Sequence, residues 1–151
     1  MWLTGEQQRI WCDYLTMASR LQTAMNRQLQ QDCELSLSDY DVLVALSEGG
    51  PLRINELGDA LAWEQSRVSH QLRRMRGRDL VVRHGSDSDR RGATVELTDG
   101  GRAALATAAP GHAELVGTAM FDGLSAAQVR AFGSVVKTVA DRLATSPLRQ
   151  T

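Results

Sequence analysis

Between Glu64 and Arg76 the chain reads Glu-Gln-Ser-Arg-Val-Ser-His-Gln-Leu-Arg-Arg-Met-Arg. Wound as a helix at about 100° per residue, this segment puts Val68, Leu72 and Met75 on one side. The opposite side shows Ser66, His70, Arg73 and Arg74, with Arg67 and Ser69 flanking them. These side chains offer hydrogen-bond donors and acceptors, and several carry positive charge. An arginine fork matches the two acceptors on a guanine edge or the oxygens of a phosphate, and Ser and His suit shorter contacts to bases or backbone. The same residue types also make an ordinary solvated helix face, so the helix alone does not settle its use.

The distribution of charge separates the two readings. From Glu64 to Gly92 there are eight arginines (67, 73, 74, 76, 78, 83, 90 and 91) against four acids (Glu64, Asp79, Asp87 and Asp89). The segment is therefore +4 in a chain of net charge −1, which leaves −5 on the remainder. A localised basic surface on an otherwise acidic chain is an electrostatic footprint for a polyanion. Asp89, Arg90 and Arg91 crowd the tip of a Gly- and Ser-rich turn. Such an arm suits a nucleic-acid backbone and can push one guanidinium into a narrow minor groove, with Asp89 orienting it. The plainer alternative for the tip is a surface turn with a weak ion pair.

The elements that must position these residues can be read from periodicity. Glu6 to about Gln31 lacks Gly and Pro, and Ile10, Tyr14, Met17, Leu21, Met25 and Leu29 recur at helical spacing. Ser38, with Asp41 three residues on, predicts the start of a second helix that ends at Gly49-Gly50-Pro51. Leu52 to Leu61 reads as a third helix with Ile54, Leu57 and Leu61 inward, and a turn at Ala62-Trp63 leads into the fourth. Two short helices joined by a tight turn fit a helix-turn-helix, whose second helix enters the major groove of duplex DNA. Leu80–Arg83 and Thr94–Leu97 read as a hairpin with a long basic tip. Thr98-Asp99 caps a helix interrupted near Pro110-Gly111. Ser125 and Gln128 form a capping box that opens the last helix. Gly49-Gly50-Pro51 and Gly100-Gly101 read as turns. The expected fold is mainly α, a winged helix-turn-helix of order α-α-α-α-β-β-α-α. It forms a single domain over 1–151, with the winged part at 38–97 and a helical dimerisation part at 4–34 and 99–146.

With these elements in place the chain resembles the MarR-type winged-helix regulators over nearly its whole length. The stretches that carry the resemblance are Leu37-Ser38-Asp39-Tyr40-Asp41-Val42-Leu43, Ile54-Asn55-Glu56-Leu57 and Ser66-Arg67-Val68-Ser69. The most specific is Asp89-Arg90-Arg91-Gly92-Ala93-Thr94-Val95-Glu96-Leu97-Thr98, a wing running into a strand and a helix start. The resemblance implies a homodimer of the first and last helices on a pseudo-palindromic duplex, and more often repression than activation. It implies that Arg91 is the minor-groove arginine with Asp89 as its partner, and that Ser66, Arg67, Ser69, His70 and Arg73 face the major groove. Glu64 departs from the family, where many relatives have Ser or Thr. A glutamate caps less well and repels a nearby phosphate.

The terminal helices carry surplus apolar residues. Ile10, Tyr14 and Met17 lie on one side of the first helix and Trp11, Leu15 and Ala18 on the next, while Val135 and Val136 stand together on the last. Surplus of this kind is often buried against a second copy. Trp11, Cys12, Tyr14, Leu15, Leu46 and Trp63 are candidates to line a cleft for a small aromatic or phenolic effector, against the alternative of ordinary core and interface packing. Cys12 also raises a redox-sensing alternative, because the peroxide-sensing branch of the family places a reactive cysteine in its first helix. Asp13 beside it opposes a thiolate, and Cys33 lies about 31 Å away along one helix. The simpler reading of Cys12 is a buried structural cysteine.

Other classes find little support. His70, His84 and His112 have no catalytic or metal-ligand spacing, and no glycine motif cradles a phosphate, so neither an enzyme nor a cofactor or metal is expected. A winged helix used only for protein contacts would show an apolar outer face where this one shows Ser, His and Arg. The first residues lack the basic and apolar pattern of a signal peptide, and the longest apolar run, Val42–Leu46, is far short of a membrane span, so a cytoplasmic location is expected.

Overall fold

The computed structural model describes residues 1–85 and 92–145. Asp89, Arg90 and Arg91 at the expected wing tip lie outside the described residues. The chain divides into two compact units, Met1–Leu115 and Val116–Thr151.

In the first unit, α1 spans Gly5–Cys33 and starts with a capping box between Thr4 and Gln7. Only the C-terminal part of its apolar stripe reaches the core. Leu29 is buried, whereas Ile10 and Tyr14 are 61% and 50% exposed. α2 spans Leu37–Gly49. Its cap is Ser36 paired with Asp39, not Ser38 with Asp41: Ser36 Oγ accepts from the Asp39 amide at 3.0 Å, and Asp39 Oδ2 accepts from the Ser36 amide at 2.9 Å. The sequence holds two Ser-x-x-Asp patterns two residues apart. The earlier one leaves Asp39 buried, where other elements also bond to it.

Leu52–Arg53 is a short strand, β1, and not the start of the third helix. It pairs antiparallel with β3 (Thr94–Leu97), with Leu52 opposite Val95 and Arg53 opposite Thr94. β2 (Val81–His84) pairs on the other side of β3, giving a three-stranded sheet in the order β1-β3-β2. A two-residue strand has no periodicity to detect, which explains why the expected order lacked it. α3 (Ile54–Leu61) and α4 (Gln65–Gly77) follow the expected helix-turn-helix, joined through Ala62 in a left-handed conformation. Ile54, Leu57, Val68, Leu72 and Met75 from these helices join Val42, Leu43 and Leu46 of α2 and Val95 of β3 in one core.

α5 (Asp99–Val116) runs without a break through Pro110, against the expected interruption. Proline removes one helix hydrogen bond, and the following residue, Gly111, lies close against α1. A Cβ at Gly111 would lie 2.7 Å from Asp32 Oδ2 and 2.8 Å from Gln28 Nε2. Gly100 and Gly101 likewise form the first turn of α5 rather than a loop. A Cβ at Gly101 would come within 2.1 Å of the Leu80 carbonyl oxygen, so only glycine lets the helix start this close to β2.

The second unit holds a π-helical turn, Gly117–Phe121, and α6, Ala126–Thr145. α6 opens with the expected capping box: Ser125 Oγ accepts from the Gln128 amide at 3.1 Å, and Gln128 Oε1 accepts from the Ser125 amide at 2.9 Å. Phe121 and Phe132 pack edge to face at 6.5 Å. No described residue of α6 is buried, and Val135, Val136, Val139 and Leu143 are exposed.

Candidate nucleic-acid interface

The candidate reading surface depends on how α4 is fixed. Its apolar side is anchored by Val68, Leu72 and Met75, all buried. A second anchor is polar and was not anticipated from the sequence. Gln71 is buried on the same helix and donates from Nε2 to Asp39 Oδ1 at 2.5 Å. Arg78, just past the helix end, donates from one nitrogen to Asp39 Oδ2 at 2.9 Å and from the other to the Glu34 carbonyl at 2.6 Å. The buried Asp39 carboxylate thus ties α2 to both the middle and the end of α4, and Arg78 extends the tie to the end of α1. A buried carboxylate is tolerated only when its lone pairs are satisfied, and here three donors converge on it, the Ser36 amide, Gln71 and Arg78. The sequence offered one signal: at about 100° per residue Gln71 falls beside Met75, at the edge of the inward side of the helix.

With α4 held this way, Ser66, Arg67, Ser69, His70, Arg73 and Arg74 are all exposed. They do not all line one cleft. Ser66, Ser69 and Arg73 line a cleft of about 570 Å³ facing the sheet, together with Gln65, Arg76 and Arg83. Arg67 turns the other way. Its guanidinium lies 3.9 Å above the Trp63 ring, a cation–π arrangement. It lines a second cleft of about 650 Å³ with Arg27, Asn26 and Asp41. Glu64 caps α4 without a side-chain hydrogen bond, as its chemistry suggests.

The six residues expected to surround an effector are not gathered together. Trp63 lines the second cleft, and Leu46 is in the core. Trp11, Tyr14 and Leu15 lie exposed along α1, with Trp11 and Tyr14 stacked at 5.7 Å. Residues 11–15 lie two to three turns before Gln22, Thr23 and Asn26, the α1 residues that do line the cleft. Cys12 is exposed rather than buried and accepts a long contact from Gln8 at 3.6 Å. Cys33 donates to the Leu29 carbonyl at 3.1 Å, and burial pushes its thiol above the ordinary range, the opposite of what a reactive thiolate needs.

Charge at the second cleft is mixed, with Arg27 and Arg67 against Asp41, and partly buried. Burial raises the Asp41 carboxyl above its usual range, and nearby Arg67 and His112 act against that shift. Burial lowers the His112 imidazole, and Asp41 acts against that shift. The His112 ring packs on Tyr40 at 4.4 Å, and its Nδ1 is buried without a hydrogen-bond partner among the described residues.

Comparison with known proteins agrees with this geometry. The MarR family model matches residues 34–92, from the end of α1 to the far side of the wing. A MarR family transcriptional regulator of Streptomyces coelicolor, Sco3205, whose structure is of its complex with DNA, superposes with a TM-score of 0.89 at 36% identity. That match covers 97% of this chain and 92% of the other. A second regulator from the same organism, AbsC, superposes with a TM-score of 0.86 at 32% identity over 97% of this chain and 99% of its own. The HTH-type transcriptional repressor NicR of Pseudomonas putida is 34% identical over 91 residues, 60% of this chain. The chain spans 58% of the length of NicR in that match. With a helix-turn-helix, a three-stranded wing sheet and relatives matched from end to end, the chain belongs to the MarR family of transcriptional regulators.

Proposed function

We propose that this chain is a sequence-specific, double-stranded-DNA-binding transcriptional regulator that places α4 in the major groove. The observation that carries the reading is the exposed Ser, His and Arg face of α4, fixed from behind by buried Val68, Leu72 and Met75 and by the Asp39 network. Arg90 and Arg91 add a wing contact in the adjacent minor groove, with Asp89 orienting Arg91. Action as a repressor follows the named activity of NicR, and a pseudo-palindromic operator follows from a two-fold dimer. The experiment is a titration of labelled duplex DNA over a range of salt. Phosphate contacts require the logarithm of affinity to fall linearly with the logarithm of salt, at about 0.9 per contact. Absence of binding at every salt concentration favours instead a winged helix used for protein contacts.

The regulator acts as a homodimer in this reading. Ile10, Trp11, Tyr14 and Leu15 on α1, and Val135, Val136, Val139 and Leu143 on α6, are large apolar side chains left in water by the single chain. Burial against a second copy recovers about 25 cal/mol per Å² of that surface. Two copies related by a two-fold axis then present two α4 helices to successive turns of one DNA face.

A small aromatic or phenolic effector fits the second cleft. Trp63 supplies an aromatic wall, and Arg67 and Asp41 supply polar groups of opposite charge. Because Arg67 belongs to α4, an occupant that displaces it from Trp63 acts directly on the recognition helix. Redox sensing through Cys12 is not favoured.

A further inference from the structure

The cleft between α4 and the sheet differs in charge from the one around Trp63. Three guanidinium groups line it, Arg73 and Arg76 from α4 and Arg83 from β2, with the hydroxyls of Ser66 and Ser69 beside them. None of the described residues lining it is acidic, whereas Asp41 lines the other cleft. Gln65 and the apolar Ile54, Leu72 and Val95 complete its lining, and the apolar wall strengthens the field of the cations. Such a site takes an anion with several acceptor oxygens, which arginine forks and hydroxyls bind together.

Position identifies the anion. Resting on the reading that α4 enters a major groove, the hairpin of β2 and β3 reaches the next minor groove. One DNA strand separates those two grooves, and its backbone must cross between helix and hairpin, where this cleft opens. We infer that the cleft seats a phosphodiester of that strand, with Arg76 and Arg83 as its principal ligands and Arg73, Ser66 and Ser69 completing the seat. The inference gives Arg73, expected to face the major groove, the role of holding the backbone. It leaves base reading by α4 to His70 and Arg74, which do not line the cleft. It also adds Arg76 and Arg83, neither on the outward face that helical spacing picks out, to the DNA-binding set. A phosphate seat at this point fixes the distance between helix and wing contacts, and so the register in which both grooves are read.

The test uses the full chain and a duplex carrying its preferred site, in which single phosphates are replaced one at a time by neutral methylphosphonates. For the unmodified chain, a neutral linkage on the strand between the two grooves is expected to weaken binding about tenfold, as loss of a charge-assisted contact does. In Arg76→Gln and Arg83→Gln the same linkage is expected to cost less than in the unmodified chain, because one of its two principal contacts is already gone. Each variant is expected to lower the salt slope by about 0.9 and to leave base preference unchanged. Arg83→Lys is expected to recover part of the affinity, and the scan on the unmodified chain is independent of how well any variant folds. A change of base preference at one position with the slope intact would make these arginines base readers and overturn the inference. Variants that bind and respond to salt like the unmodified chain would overturn it too, while leaving the DNA-binding reading in place. Failure of the unmodified chain to bind any duplex would overturn both.

Discussion

Asp39 carries more of the architecture than any other polar residue described. It caps α2, holds Gln71 in the middle of α4 and pairs with Arg78 at its end. Asp39→Ala would leave the buried Gln71 amide without its acceptor and remove the partner of Arg78. The expected cost is about 3 kcal/mol of folding stability, read by chemical denaturation. A loss below about 1 kcal/mol would show that the network contributes little. The pair of His112 and Asp41 makes a second residue-level prediction, in pH. The folded-state value of His112 lies below its ordinary 6.5, so the fold favours the neutral ring. Its contribution to stability is complete above pH 6.5 and is lost as pH falls through the lowered value. Asp41 has the opposite sign. Its folded value is raised above 3.8, so the fold favours the protonated acid and its contribution is lost as pH rises through the raised value. In His112→Gln the decline in melting temperature just below pH 6.5 is expected to shrink. An unchanged pH profile would exclude His112 as its source. The identities of these residues were plain in the sequence, but their partnerships were not. Asp39 and Gln71 are 32 positions apart, and no local spacing reports a contact of that range.

At the scale of elements, most of the architecture was legible because helical periodicity and capping chemistry are local. α3, α4, β3 and the start of α6 fall within a residue or two of their expected bounds. The misses share one cause, tertiary contact overriding a local signal. β1 exists because β3 pairs with it, the α2 cap is the Ser-x-x-Asp pattern whose aspartate meets α4, and Pro110 stands in a helix that lies close against α1 at Gly111. The glycine pair at the start of α5 illustrates the same point. Gly101→Val would drive side-chain atoms into the Leu80 carbonyl, force α5 away from β2 and cost about 2 kcal/mol or more, read by thermal unfolding. A variant as stable as the parent would show that the helix start moves freely. The two clefts were not legible at all, since each is made by side chains from several elements. Arg67 is the clearest case. Helical spacing put it beside the groove-facing residues, and the ring of Trp63 turns it toward the other cleft.

For the whole molecule, the exposed apolar residues of α1 and α6 make a prediction about assembly. Val136→Asp together with Val139→Asp places two charges on the exposed apolar side of α6. Sedimentation is expected to shift from dimer to monomer, and affinity for a two-half-site duplex is expected to fall well over tenfold as the second half-site ceases to assist the first. A variant that still sediments as a dimer would place the interface elsewhere. Arg91→Ala tests the wing separately: dimerisation is expected to stay intact while affinity falls for most sequences, and unchanged affinity would remove the wing from the mechanism. The measurement that bears most directly on the central claim is selection from a randomised duplex pool by the full chain, followed by sequencing. The account predicts recovery of a pseudo-palindrome whose half-sites are centred about one helical turn, roughly 34 Å, apart. A pool that remains random after selection, with binding that is weak or absent, would contradict it.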